Sequence, residues 1–316
     1  YTSSFKTLYD REYTIEIWSK TDNTGSGIEY DLSSEGFILN YDKGTHLRLA
    51  ETMPSSVSFG FIIKTNTERT FVTSLLQASR GDWYIKIFRT GEAQEYWAGW
   101  IEPGFDNYKD ESYPYKANIR ATDSLDVIID KYTNAVNITG DNFRNLRYPM
   151  EVFRQKYDID SLFTTPKFNF AMSWVNNQSS AGNTDRTSDT FYNRQAFVDN
   201  PDNFPNIIRN INTELIGVLK ALSLRLFLSQ GEYRLIQDNL FPNTHNEFIY
   251  NDPTSSSPDE TRLNEFNSVE IDNTQSPDTA NKGIALTGGT HTFDPEFNSV
   301  RAKFIFDDAG VLFDPS

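Results

Sequence analysis

The residues of this chain best placed for chemistry lie between Trp83 and Glu102. Glu92, Glu95 and Glu102 surround Trp97 and Trp100, with Trp83 one strand earlier. Two carboxylates beside an aromatic platform are what a glycoside hydrolase needs, one as acid, one as nucleophile or base, with a ring to stack on the sugar. The same residues read equally as the acidic tip of a β-hairpin and as aromatics filling a barrel core. Glu92 falls in the turn RTGEAQ and Glu95 only starts the returning strand, so a solvated hairpin is the expectation. His46, His245 and His291 stand far apart, none with a second ligand at metal spacing, and each is expected as a surface or hydrogen-bonded core histidine. Residues 22–27 lack the alternating acids and closing Glu of a calcium loop and read as a turn. Motifs for phosphate loops, nucleophile elbows, zincins and dinucleotide folds do not occur. The sequons at Asn137 and Asn177 fall in an Asn-rich stretch where such matches arise by chance. We therefore assign no catalytic, cofactor-binding or metal-binding residue and expect neither enzyme activity nor a cofactor.

Composition narrows the class further. The chain has 316 residues, no Cys and a net charge of −15. Without Cys there are no disulfides, no thiol nucleophile and no Cys-ligated metal. The acidic balance argues against duplex DNA binding, where basic contacts to phosphate carry the affinity. No apolar run approaches the roughly 18 residues that span a bilayer, so no stable membrane insertion is expected. The 24 Phe, 16 Tyr and 5 Trp supply apolar area and favour strands. The chain opens YTSSFKTLYD without Met and ends VLFDPS just after a predicted strand, and it reads as part of a longer or processed chain.

Periodicity supplies the elements that would position these residues. Alternation of two predicts strands at 13–17, 36–41, 57–63, 83–88, 95–101 and 115–122. Phe71, Val72, Leu75 and Leu76 mark a helix over 68–78. Leu125, Ile128, Ile129 and Tyr132 mark a second, with Asp123 or Ser124 as cap. From 136 to 212 the pattern dissolves into Asn-rich chain, with a long polar loop over 172–189. Regularity resumes with a helix capped by Thr213 and carrying Leu215, Val218, Leu219 and Leu222. The hairpin 225–237 follows, then a loop at 251–260 and weak strands at 267–271, 282–286 and 300–306. The expectation is a mainly β (α+β) fold: two antiparallel β-barrel or sandwich modules with short helices, at 1–135 and 212–316, separated by an irregular, partly helical insert at 136–211.

Two stretches carry a resemblance, GDWYIKIFRTGEAQEYWAGWIEPGFDNYKDESYPYKANIRATDSLDVIID (81–130) and NTELIGVLKALSLRLFLSQGEYRLIQ (212–237). Their pattern is W-x-G-W-I-x-P at 97–103, a Tyr-Pro strand into A-T-D-x-L at 113–125, V-L-K-x-L at 218–222 and R-L-F-x-S-x-G-x-Y-x-x-I-Q at 225–237. In order and spacing it resembles the baseplate-hub or tail-tip family of bacteriophages, which is similar in plan to the spike proteins of contractile injection systems. Ser124 stands where members often have Gly. The resemblance implies a structural virion protein with two tail-tube-like modules. Three copies would form a pseudo-sixfold ring below a hexameric tube. The partners implied are the tail tube or a distal tail protein, the tape measure protein, and fibre or spike proteins, with DNA passing through unbound. Other tail parts, such as a distal tail ring or a fibre base, and a carbohydrate-binding or glycoside-hydrolysing module are the alternatives.

Overall fold

The computed structural model describes residues 2–6, 12–21, 31–41, 51–104, 112–123, 125, 133–134, 143–172, 187, 190–199, 207–208, 211–237, 245–264, 271–272 and 283–284. The fold is mainly β. The first region contains β1 (Thr2–Lys6), β2 (Glu12–Ser19), β3 (Leu32–Tyr41), β4 (Thr52–Met53), β5 (Ser55–Ile63), α1 (Asn66–Gln77), β6 (Trp83–Arg89), β7 (Glu95–Ile101) and β8 (Tyr115–Thr122). All but β4 form one antiparallel seven-stranded sheet in the order β1-β2-β6-β7-β8-β5-β3. This sheet curls into a half-barrel. Its edge strands β1 and β3 approach within 8 Å at the Cα level. The alternation read from the sequence becomes its inner face, where Ile15, Ile17, Ile85, Ile87, Val57, Phe59, Ile119 and Ala121 are all buried.

Helix α1 covers this face with the predicted stripe Phe71, Val72, Leu75 and Leu76. Its start is fixed by a reciprocal cap: Glu68 N–H donates to Thr65 Oγ1 at 3.3 Å, and Thr65 N–H donates to Glu68 Oε2 at 2.8 Å.

The rest of the chain contributes β9 (Thr133–Asn134), β10 (Phe143–Asn145), α2 (Arg147–Lys156), α3 (Ile159–Leu162), β11 (Lys167–Ala171), β12 (Phe191–Asn193), β13 (Val198–Asp199), β14 (Ile207–Ile208), α4 (Ile211–Leu222), β15 (Leu224–Ser229), β16 (Glu232–Gln237), β17 (His245–Tyr250), β18 (Glu260–Asn264), β19 (Ile271–Asp272) and β20 (Gly283–Ile284). A second sheet runs β18-β17-β11-β16-β15-β4. It departs from the expected antiparallel form, because β11 pairs parallel with β16 and β15 parallel with β4. The stretch 136–211, expected as irregular and partly helical, supplies the helices α2 and α3 and, beyond that expectation, β11, an interior strand of the second sheet.

Helix α4 starts two residues before the predicted Thr213 cap and buries Leu215, Val218, Leu219 and Leu222 as its spacing requires. The hairpin β15–β16 turns on Gln230 and Gly231, both at positive φ (52° and 77°), as a tight two-residue turn demands. One continuous cluster of buried apolar residues extends from Tyr13 in β2 to Tyr250 in β17, so the two sheets share a core. The predicted helix beyond Leu125, the polar loop 172–189 apart from Met172 and Thr187, and the strand 300–306 lie outside the described residues.

Candidate functional site

The hairpin carrying the candidate carboxylates does not gather Glu92, Glu95 and Glu102 around Trp97. Ile87 stands opposite Trp97, but Phe88 stands opposite Glu95, so a β-bulge at Tyr96 shifts the register by one residue. Neighbouring residues point to opposite faces, so the bulge places Glu95 on the back of the sheet and Trp97 on the inner face. Glu92 sits in the exposed turn and pairs with Arg89 at 2.8 Å. Glu102 faces Arg120 at 3.3 Å. Trp97, 1% exposed, is a core residue, and Trp100 meets Tyr84 edge to face with centroids 5.4 Å apart.

The expectation of a solvated tip is corrected at Glu95. It is only 1% exposed. Its Oε1 accepts from Lys86 Nζ at 2.8 Å, from Thr164 N–H at 2.9 Å and from Thr164 Oγ1 at 2.6 Å. Burial pushes this carboxyl up, but the Lys86 and Thr164 hydrogen bonds outweigh it and hold the group below the usual carboxylate range.

A second set of polar residues sits where the two sheets meet. Trp97 Nε1–H donates to Ser55 Oγ at 2.8 Å, and Ser55 Oγ–H donates to Asp123 Oδ2 at 2.6 Å. Asp123 also accepts from Ser55 N–H at 2.8 Å and, through Oδ1, from Leu125 N–H at 3.0 Å. It thus follows the end of β8 and ties that end to the start of β5; the helix it was expected to cap lies outside the described residues. The β7–β8 ladder covers only Trp100↔Thr122 and Ile101↔Ala121. Towards the start of β7 the second sheet's hairpin closes in: Gln94 Nε2–H donates to Gly231 O at 3.3 Å, and a Cβ on Gly231 would overlap the Glu95 carbonyl. A Cβ on Gly99 would overlap the Trp97 ring and the Thr122 carbonyl. Tyr233 packs among Phe153, Phe163 and Phe168, with its hydroxyl 3.5 Å from Asp123 O. Burial, then the Asp123 charge, pushes this phenol well above its ordinary value, so it stays neutral.

A third cluster was not singled out from the sequence. One face of the second sheet carries Asn169, fully buried, whose Nδ2 donates to Glu232 Oε2 at 3.2 Å and Glu247 Oε2 at 2.6 Å. Arg262 Nη1 reaches Glu232 Oε1 at 2.7 Å and Arg234 Nη2 reaches Oε2 at 3.3 Å. His245 Nε2 lies 3.8 Å from Glu247 Oε1. The signal was present as alternation of polar residues within apolar strands, Lys167 and Asn169, Glu232 and Arg234, His245 and Glu247, Glu260 and Arg262. Both carboxylates are occupied by their neighbours, so the cluster acts as a cross-strand ladder that fixes register. It offers no free acid.

Among the described residues no group of three or more His, Asp or Glu could hold a metal ion, and no helix is long and apolar enough to cross a membrane. His46, His291, residues 22–27 and both sequons lie outside the described residues. Comparison with family models, with curated proteins and with solved structures finds no match to this chain.

Proposed function

We propose that this chain is a structural subunit of a phage tail tip, a hub that closes or extends the tail tube and links it to fibres or a spike. The observation that supports this reading is the place of the motif residues in the fold. Trp97 and Gly99 of W-x-G-W, Asp123 of A-T-D-x-L, and Gly231 and Tyr233 of the R-L-F motif all fall on the seam between the two sheets. Each has a task there: Gly99 leaves room for the Trp97 ring, Asp123 joins β8 to β5, Gly231 lets the hairpin touch β7, and Tyr233 reaches across to Asp123. Motifs whose order and spacing serve one joint fit a protein whose work is geometric.

In this reading each sheet, with its amphipathic helix, is a tube-like module. Three copies place six modules beneath a sixfold tube, and a closed ring leaves no sheet edge to recruit further chains. Ile38 on edge strand β3 and Leu263 on edge strand β18 are exposed, at 53% and 61%, and are the apolar contacts a neighbouring copy would cover. The charge of −15 suits a lumen through which DNA passes without being held. The virion is the location, and the tail tube or distal tail protein, tape measure protein, and fibres or spike are the partners. Electron-microscopic averaging of the purified protein without imposed symmetry tests this: a threefold ring with a central channel is expected. A six-copy ring would move the assignment to a distal tail ring.

A further inference from the structure

Helix α2 sends two arginines towards the loop that joins β17 to β18, Arg147 from its first turn and Arg154 from its last. Arg154 Nη1 donates to Asn251 O at 3.4 Å. Three carboxylates surround its guanidinium, Glu151 at 3.4 Å, Asp160 at 3.7 Å and Asp252 at 4.0 Å. Arg147 is placed differently. Its Nη1 donates to Ser255 O, and its guanidinium lies over the Tyr250 ring, 4.7 Å from the centroid. It is only 2% exposed, its Nε–H is buried without an acceptor, and among the described residues no Asp or Glu pairs with it. Other inward-facing cations do have acids: Lys86 has Glu95 at 2.8 Å, and Arg234 has Glu232 at 3.3 Å. Position in the helix adds to the imbalance at Arg147. The first turn carries positive partial charge on N–H groups that lack intrahelical acceptors. Helix α2 has no acidic residue in that turn, and its cap residue Leu146 supplies no side-chain hydrogen bond. Arg144, its guanidinium 5.5 Å from the Tyr148 ring centre, adds a second cation just before it.

We propose that the first turn of α2 is an oxyanion site, in which a phosphate group is held by the Arg147 guanidinium and the N–H groups of that turn. A buried charge is tolerated where an opposite charge balances it, and this chain carries 44 Asp and Glu from which a partner could have been drawn. A bound anion supplies the missing balance, and it also satisfies the positive end of the helix. The donor set suits an oxyanion better than a halide, because a guanidinium presents N–H groups in a fixed fork that fits two oxygens at once. The Tyr250 ring fixes the plane of that fork, and the Ser255 carbonyl takes Nη1, which leaves the Nε–H side for the ligand. The site is complete within one chain and does not depend on the hub reading. Free phosphate and a phosphate ester share this chemistry, and affinity separates them.

Calorimetric titration of the full chain with inorganic phosphate, at constant ionic strength against chloride, tests the site. Saturable binding with a Kd of about 1 mM or tighter is expected, as a few charge-assisted hydrogen bonds provide. Glycerol 3-phosphate titrated in the same way identifies the source: tighter binding than inorganic phosphate marks an ester as the ligand, and weaker binding marks the free ion. Arg147→Lys keeps the charge but loses the fork, and should weaken binding about tenfold or more. Lys156→Gln removes an exposed cation at the other end of the helix and should leave the affinity unchanged. Where Arg147→Lys fails to fold, hydrogen exchange of the unsubstituted protein decides: phosphate should protect the first turn of α2 and leave β5 and β8 as they were. No saturable binding, unchanged affinity in folded Arg147→Lys, or phosphate protection that misses the first turn of α2 would overturn the site.

Discussion

On the back of the first sheet Thr14, Asn118 and Arg120 are half-buried and Glu95 is buried beside its bulge, whereas the equivalent face of the second sheet buries a connected set, Asn169, Glu232 and Glu247, almost completely. The first sheet is antiparallel and held by an apolar inner face. The second is mixed, inserts a parallel strand at its centre, and uses charge to keep that strand in register. The difference shows where specificity is needed. In the first sheet clean alternation guides the pairing and a short turn joins β6 to β7, while β11, reached through two helices, has to be told which strands to enter.

Substitutions can break this comparison, and the largest effect belongs to the first sheet's core. Trp97→Ala should cost about 4 kcal/mol, the loss for a buried large aromatic, together with its bond to Ser55, in urea unfolding followed by tryptophan fluorescence. Glu95→Ala should cost about 3 kcal/mol in the same urea unfolding by leaving Lys86 without its partner. Asn169→Leu should cost about 2 kcal/mol by stripping a donor from two buried carboxylates. Its loss of hydrogen-exchange protection should centre on β16 and β17 and spare β5 and β8; equal loss in both sheets would erase the contrast. Gly231→Ala should cost about 1–2 kcal/mol through the left-handed turn and the touch on Glu95. Glu92→Gln, in the exposed turn, should stay within about 0.5 kcal/mol.

Much of the first region was legible because its strands alternate cleanly and its helix stripe is unambiguous. Strand β11 was not, since KFNFA is five residues long, carries Asn at its centre and lies in Asn-rich chain, so its polar residue read as loop. The solvated reading of Glu95 failed for a different reason. A β-bulge changes which face a residue takes, and sequence spacing counts residues without seeing the bulge. The motif glycines were visible as letters, but the need for them came from Trp97, Thr122 and Glu95 approaching from other strands.

The proposed role as a hub rests on assembly, and native mass measurement of the purified chain at micromolar concentration tests it most directly. The account predicts a particle of three copies that survives dilution, because ring closure buries edges that a lone chain would expose. A stable monomer, or a ring of six copies, would contradict it.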